Sequence, residues 1–116
     1  LHDAGVGGGR ISKERWVEII STAPAKIFGM YPQKGAIAVG SDADIVVYDP
    51  KAKRTISAKT HHMDVDYSCW EGKAVQGRSD VVLSRGAVVV ENGDFKGKQG
   101  AGTFLKRKTA EFVRHG

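Results

Sequence analysis

The chain has 116 residues, 41% hydrophobic and 27% charged, the proportions of a globular domain and not of a disordered or fibrous chain. No uninterrupted apolar run exceeds four residues, far below the roughly 20 that span a bilayer, so we expect no membrane partner. The net charge is +5, but the basic residues are scattered until 106–108, and no aromatic residues intervene there. We therefore expect a solvated tail and no nucleic-acid partner.

Cys69 is the only cysteine of the chain, which excludes an internal disulfide and a cysteine-based zinc site. A lone reduced thiol is typical of the cytoplasm, so we expect a cytoplasmic protein. The flanking Ser68 and Trp70 offer no group that would activate the thiol. We predict that Cys69 is a buried or half-buried neutral side chain.

We predict two helices near the amino end. Leu1 is not an initiator methionine, and the glycine-rich stretch 5–9 is typical of a helix end, which suggests a piece of a longer chain. Ser12 can cap the next helix, and Pro24 is tolerated in the first turn of a second helix that Gly29 would end. The apolar face of the first helix would consist of Trp16, Val17, Ile19, Ile20 and Ala23.

Short strands replace the helical spacing after residue 34. We therefore predict helices in 1–34, strands in 35–95 and a basic tail in 96–116. The predicted strands are 37–39, 43–48, 54–57, 73–76, 81–84 and 87–91, and a short helix is predicted at 110–113. Asp49-Pro50 should close the second strand, while Arg85-Gly86 and Asn92-Gly93 are typical of turns.

These elements predict an α+β chain with antiparallel strands. A small sheet with an apolar face needs a partner sheet, because uncovered strands and open edges favour aggregation. We expect these strands to form part of a β-sandwich whose other sheet lies in a preceding part of a longer chain. The stretch 58–72 mixes turn-formers with aromatics, so it should be irregular, with Tyr67 and Trp70 anchored by packing.

The stretch from His61 to Asp66 contains the one metal-like cluster of the sequence, made of His61, His62, Asp64 and Asp66. Adjacent histidines on an extended chain point in different directions, unlike a pair spaced i, i+4 on a helix. We therefore predict a structural or hydrogen-bonding role for these residues.

Asp42 and Asp44 could supply the two carboxylates of general acid and base catalysis. The stretch 40–44 (GSDAD) is instead typical of a turn in which Asp42 accepts backbone hydrogen bonds and Asp44 opens a strand. No serine lies in a nucleophile elbow, and His2 and His115 are expected at frayed termini. We accordingly predict no catalytic, cofactor-binding or metal-ligating residue in this chain.

Four stretches together resemble the amidohydrolase superfamily. They are 10–50, 58–72 (AKTHHMDVDYSCWEG), 81–95 (VVLSRGAVVVENGDF) and 97–107 (GKQGAGTFLKR). The turn GSDAD before an apolar strand is shared by many amidohydrolases. The later stretches are more specific, and they are similar to the cyclic-amidase branch of dihydropyrimidinases and D-hydantoinases.

The resemblance implies a (β/α)8 barrel with a small β-sandwich, of which this chain would form the terminal barrel helices and the carboxy-terminal part of the sandwich. It implies a hydrolase that opens dihydropyrimidine or hydantoin rings with two metal ions, usually zinc, held by histidines, an aspartate and a carboxylated lysine. Those ligands precede residue 1 in the family. The resemblance thus implies that this chain binds no zinc, is inactive alone and pairs with the rest of a parent chain that forms homo-oligomers.

Three alternatives stay open. The family includes cytoskeletal regulators without the metal ligands, although residues 60–63 (THHM) and the 97–107 stretch look more like the enzymes. Allantoinase is a related enzyme with a different substrate. Independently of any family, Lys96, Lys98 and 106–108 could bind a polyanion.

Overall fold

The computed structural model describes residues 1–110, so His115 and most of the helix predicted at 110–113 lie outside the described residues. Helical segments run over His2–Gly7 (π-helical), Lys13–Val17 (α1), Glu18–Thr22 (π-helical), Ala23–Ile27 (α2) and Ala58–Thr60 (3₁₀). Strands run over Ile45–Thr55 (β1), Ala74–Ser84 (β2), Ala87–Glu91 (β3) and Asp94–Phe95 (β4). The predicted order of helices followed by antiparallel strands is confirmed.

The helical part begins and ends where local chemistry predicts. The backbone N–H of Arg15 donates to Ser12 Oγ at 3.1 Å, so Ser12 caps α1. Pro24 lies in the first turn of α2, where its missing N–H costs little. Gly29 adopts φ +69°, a left-handed conformation that ends the helix and that glycine reaches without steric cost.

The four strands form one antiparallel sheet in the order β1-β2-β3-β4. β1 and β2 pair from Ile45 opposite Leu83 to Thr55 opposite Ala74. The prediction that Asp49-Pro50 ends a strand was wrong, because this dipeptide forms a bulge inside β1. Asp49 Oδ1 accepts the backbone N–H of Lys51 at 2.8 Å, which replaces lost ladder bonds and lets the strand continue.

The strand predicted at 37–39 does not form. Ile37 and Val39 are almost fully exposed, at 85% and 107% of their reference areas, and these residues lie in a loop. The loop is closed at its ends, where Ser41 Oγ donates to Pro32 O at 2.7 Å and Asp42 N donates to Gln33 O at 2.9 Å. Alternating apolar residues are not sufficient for a strand when no neighbouring strand accepts their backbone hydrogen bonds.

Apolar side chains of the helices and the sheet remain largely uncovered. Among residues 1–110, Ala25 is the one buried hydrophobic residue, and it is 3% exposed. An apolar groove of about 690 Å³ runs between the helices and β1, lined in part by Trp16, Ile20 and Val46. No second sheet covers β1 to β4 within the described residues, and both Val46 and Val47 are exposed.

Candidate functional site

The structure does not bring the metal-like residues of the 61–66 stretch together as a metal site within the described residues. No group of three or more His, Cys, Asp or Glu side chains within residues 1–110 is placed to hold a metal ion. His62 Nε2 lies 3.1 Å from the carbonyl oxygen of Gly93, and the His62 ring lies 5.9 Å from that of Phe95. His61 Nδ1 is buried without a hydrogen-bond partner in this part of the chain. The predicted hydrogen-bonding role therefore holds for His62.

The segment that carries these histidines is a loop closed at its base by Glu71. The Glu71 carboxylate accepts Ser57 Oγ and the backbone N–H of Ala58, both at 2.7 Å. These bonds lower the pKa of Glu71, with the Ala58 N–H as the largest cause. Sequence reasoning missed this contact, because Ser57 and Glu71 come together only when β1 and β2 pair.

The predicted burial within this loop was wrong. Cys69 is exposed, not buried or half-buried. Tyr67 and Trp70 are 73% and 58% exposed, so packing does not anchor them in this structure. Trp70 instead lies under Lys73, whose Nζ is 4.9 Å from the ring centroid.

The two carboxylates of the GSDAD turn share one ammonium group. Lys34 Nζ lies 2.8 Å from Asp42 Oδ2 and 2.5 Å from Asp44 Oδ2. Asp44 Oδ1 accepts the backbone N–H of Arg85 at 2.9 Å, and Asp44 directly precedes β1. Asp42 accepts from the side chains of Lys34 and Gln33, so the predicted backbone bonds to Asp42 were wrong. We name Lys34, Asp42, Asp44 and Arg85 the junction cluster, because they join the helices to the sheet.

Electrostatics favour the charged forms of Lys34, Asp42 and Asp44. Hydrogen bonds to Asp42 and Asp44 raise the pKa of Lys34, and the bond from Lys34 lowers the pKa of Asp42. Burial raises the pKa of Asp44, but the hydrogen bonds from Lys34 and from the Arg85 N–H outweigh it, and the net shift is downward. A general acid needs a pKa near the working pH, so this pair suits a structural role.

The junction cluster should make the stability of the fold pH-dependent at both extremes. The lowered carboxyl pKa values give stability that is present above the ordinary value of 3.8 and is lost as the pH falls through the folded values. The raised Lys34 pKa gives stability that is present below 10.5 and is lost as the pH rises through the folded value. Titration of the carboxyl ¹³C resonances should place both aspartates below 3.8, and Lys34→Met should raise both pKa values. Aspartates that titrate identically in wild type and variant would contradict this assignment.

Arg85 also holds the glycine-rich tail. Its Nη1 donates to Thr103 Oγ1 at 2.6 Å, and its Nη2 donates to the carbonyl oxygen of Ala101. Further along, the backbone N–H of Lys108 donates to Gly29 O at 2.8 Å. The tail therefore runs from the sheet back to the end of α2.

The amino-terminal segment is fixed against the sheet, so the prediction that His2 lies at a frayed terminus was wrong. The His2 ring lies 4.9 Å from that of Trp16 and 4.8 Å from that of Tyr48. Asp3 Oδ1 accepts the backbone N–H of Gln76 at 3.1 Å, and His2 Nδ1 lies 3.3 Å from Gln76 O. Two adjacent side chains thus bind both backbone groups of one β2 residue, as a neighbouring strand would.

Comparison with known proteins assigns the family. Residues 2–89 match the Amidohydrolase family, and the chain belongs to that family. The resemblance inferred from the four sequence stretches is thereby confirmed. Within residues 1–110, no helix has the length and apolar character that crossing a membrane requires.

Two curated relatives and one solved structure show which members of the family the chain is similar to. The chain is 51% identical over 113 residues to a D-hydantoinase of Streptomyces coelicolor, covering 97% of this chain and 24% of the relative. It is 51% identical over 114 residues to a dihydropyrimidinase of Rattus norvegicus, covering 97% and 22%. The crystal structure of dihydropyrimidinase from Brevibacillus agri matches at a TM-score of 0.93 and 56% identity, covering 97% of this chain and 24% of that one. The chain thus spans about a quarter of the length of these relatives.

Proposed function

We propose that this chain is the carboxy-terminal part of a hydrolase that opens cyclic amides of the dihydropyrimidine or hydantoin type. The observation that carries the proposal is 51% identity over 97% of this chain to a D-hydantoinase, together with the same identity to a dihydropyrimidinase. The chain would supply the last helices of a (β/α)8 barrel and one part of a β-sandwich. The exposed apolar groove beside β1 supports this, because such surfaces are normally covered in a stable fold.

We propose that the whole protein uses two zinc ions held by residues outside this chain. The described residues do not fit a zinc site, since a catalytic site needs three protein ligands and no such group exists among residues 1–110. His62 Nε2 instead lies 3.1 Å from the carbonyl oxygen of Gly93. We therefore assign no catalytic step to a residue of this chain. We propose that the chain has a structural role in the whole protein.

The test compares the full-length polypeptide with residues 1–116 alone. The full-length protein should open dihydrouracil and hydantoin, should lose this activity to a chelator and should regain it with zinc. The isolated chain should show no ring opening under the same conditions, because it lacks the ligand set. Hydrolysis by the purified chain would refute the assignment.

Further substrates and ligands distinguish the alternatives. Preference of the full-length protein for allantoin would indicate an allantoinase, and absence of activity on all three rings would indicate a non-enzymatic relative. Tight binding of the chain to nucleic acid at physiological salt would favour a polyanion-binding module instead. We also propose that the whole protein is cytoplasmic and forms homo-oligomers. Light scattering that detected only a monomer of the full-length protein at all concentrations would contradict the proposed oligomer.

A further inference from the structure

The β3–β4 hairpin turn contains the single asparagine of the chain, and a glycine follows it. Asn92 has φ +50° and Gly93 has φ +87°, the two positive values of a type I′ turn. Both residues are exposed. Glycine offers no side chain to shield its backbone nitrogen, so this nitrogen is accessible to the Asn92 carboxamide whenever the turn opens.

We propose that Asn92 is a self-modification site whose rate is controlled by the docking of His62. Hydroxide from the solvent removes the backbone N–H proton of Gly93, and the resulting nitrogen attacks Cγ of Asn92. A new N–C bond forms, the C–N bond of the carboxamide breaks, and the departing nitrogen takes a proton from water and leaves as ammonia. Water then opens the cyclic imide at one of its two carbonyl carbons. The products are aspartate or isoaspartate, and no oxidant or reductant is needed.

The folded turn opposes this reaction. Ring closure requires the Asn92 Cβ and the Gly93 nitrogen to eclipse each other about the Cα–C bond. A type I′ turn keeps these atoms nearly opposite. The reaction therefore proceeds through hairpins that have opened, and contacts that hold the turn closed set its rate.

Three contacts hold the turn closed from different sides. His62 Nε2 lies 3.1 Å from Gly93 O, so the loop that carries His62, residues 57–72, is bound to the turn itself. The backbone N–H of Asn92 donates to Asp80 O at 2.8 Å, which ties the turn to β2. Lys96 pairs with Glu91 across the hairpin base. Only the His62 contact comes from outside the hairpin and its neighbouring strand.

Modification would disrupt the hairpin. Isoaspartate adds a backbone carbon, so a two-residue type I′ turn can no longer form. The aspartate product keeps the backbone length, but it places a new carboxylate between Glu91 and Asp94. In either case β4 and the tail that follows it lose part of their anchorage.

The experiment incubates the full-length protein at mildly alkaline pH and follows the tryptic peptide 86–96, which contains no other asparagine or glutamine. Mass spectrometry detects the replacement of NH2 by OH, and isoaspartate is separated chromatographically. Conversion should be slow in the native protein and faster in urea. His62→Ala should accelerate native conversion about fivefold, the effect expected from losing one hydrogen bond of ordinary strength.

His61→Ala is the matched control, because His61 precedes His62 and its Nδ1 has no partner within residues 1–110. It should convert at the wild-type rate. Glu91→Gln, which removes the ion pair with Lys96 without changing shape, provides a second opening variant if His62→Ala proves unstable, and it should also accelerate conversion. If Asn92 stayed unmodified in urea, it would not be a modification site. If the His62 and His61 variants converted at equal rates in the native protein, the His62 contact would not control the rate.

Discussion

Replacing Gly77 by alanine should lower the free energy of unfolding by about 3 kcal/mol, because the new methyl group would require atoms to move where the helices meet the sheet. Gly77 is buried in β2 with φ +109°, a conformation that side chains oppose. A Cβ built there would overlap the Tyr48 hydroxyl and lie 2.7 Å from His2 Nδ1. Alanine would therefore displace both rings and weaken the bond of His2 to Gln76.

The measurement is amide hydrogen exchange of β1 and β2 in the full-length protein, since exchange reports local opening free energies. Gly86→Ala is the matched control. Gly86 also has a positive φ, +83°, but a Cβ there meets nothing within 4 Å, so only the backbone cost of about 1 kcal/mol should appear. Equal losses of protection for the two variants would contradict the crowding at Gly77.

Asp44→Ala should cost about 1.5 kcal/mol, the second largest effect expected. Asp44 binds two partners from distant parts of the chain, Lys34 through one oxygen and the backbone N–H of Arg85 through the other. Arg85 has φ +49°, so its turn already carries backbone strain that the bond to Asp44 offsets. Loss of the carboxylate should also loosen the tail, because Arg85 Nη1 binds Thr103.

Asp42→Ala is the control for this prediction. Asp42 shares the Lys34 ammonium but does not bind Arg85, so its removal should cost less than the removal of Asp44, as expected for an exposed ion pair. Hydrogen exchange at β1 and limited proteolysis of the tail in the full-length protein would measure both variants. A tail equally resistant to protease in wild type and Asp44→Ala would contradict the role of Asp44.

Local features of the fold could be predicted because their causes lie within a few residues. Ser12 caps the helix that follows it, and Gly29 ends α2 with a positive φ. The Asn92-Gly93 dipeptide forms the predicted hairpin turn. In each case the backbone conformation follows from the chemistry of one side chain, or from its absence.

Exposure within the 57–72 loop could not be predicted from residue type. Trp70 and Cys69 belong to types that are often buried, yet both are exposed here. Burial depends on whether another part of the protein covers a side chain. Residue type alone does not say which side chains another segment covers.

The sequence by itself determined the family, the order of helices before antiparallel strands, and the helix caps and hairpin turns, since each depends on neighbouring residues or on similarity along the chain. Only the tertiary structure decided that β1 continues past Asp49-Pro50, that His2 and Asp3 bind Gln76, and that Asp44 reaches Arg85. These contacts join positions as far apart as 74 residues. They form because pairing β1 with β2 leaves backbone groups and charges that distant side chains must satisfy.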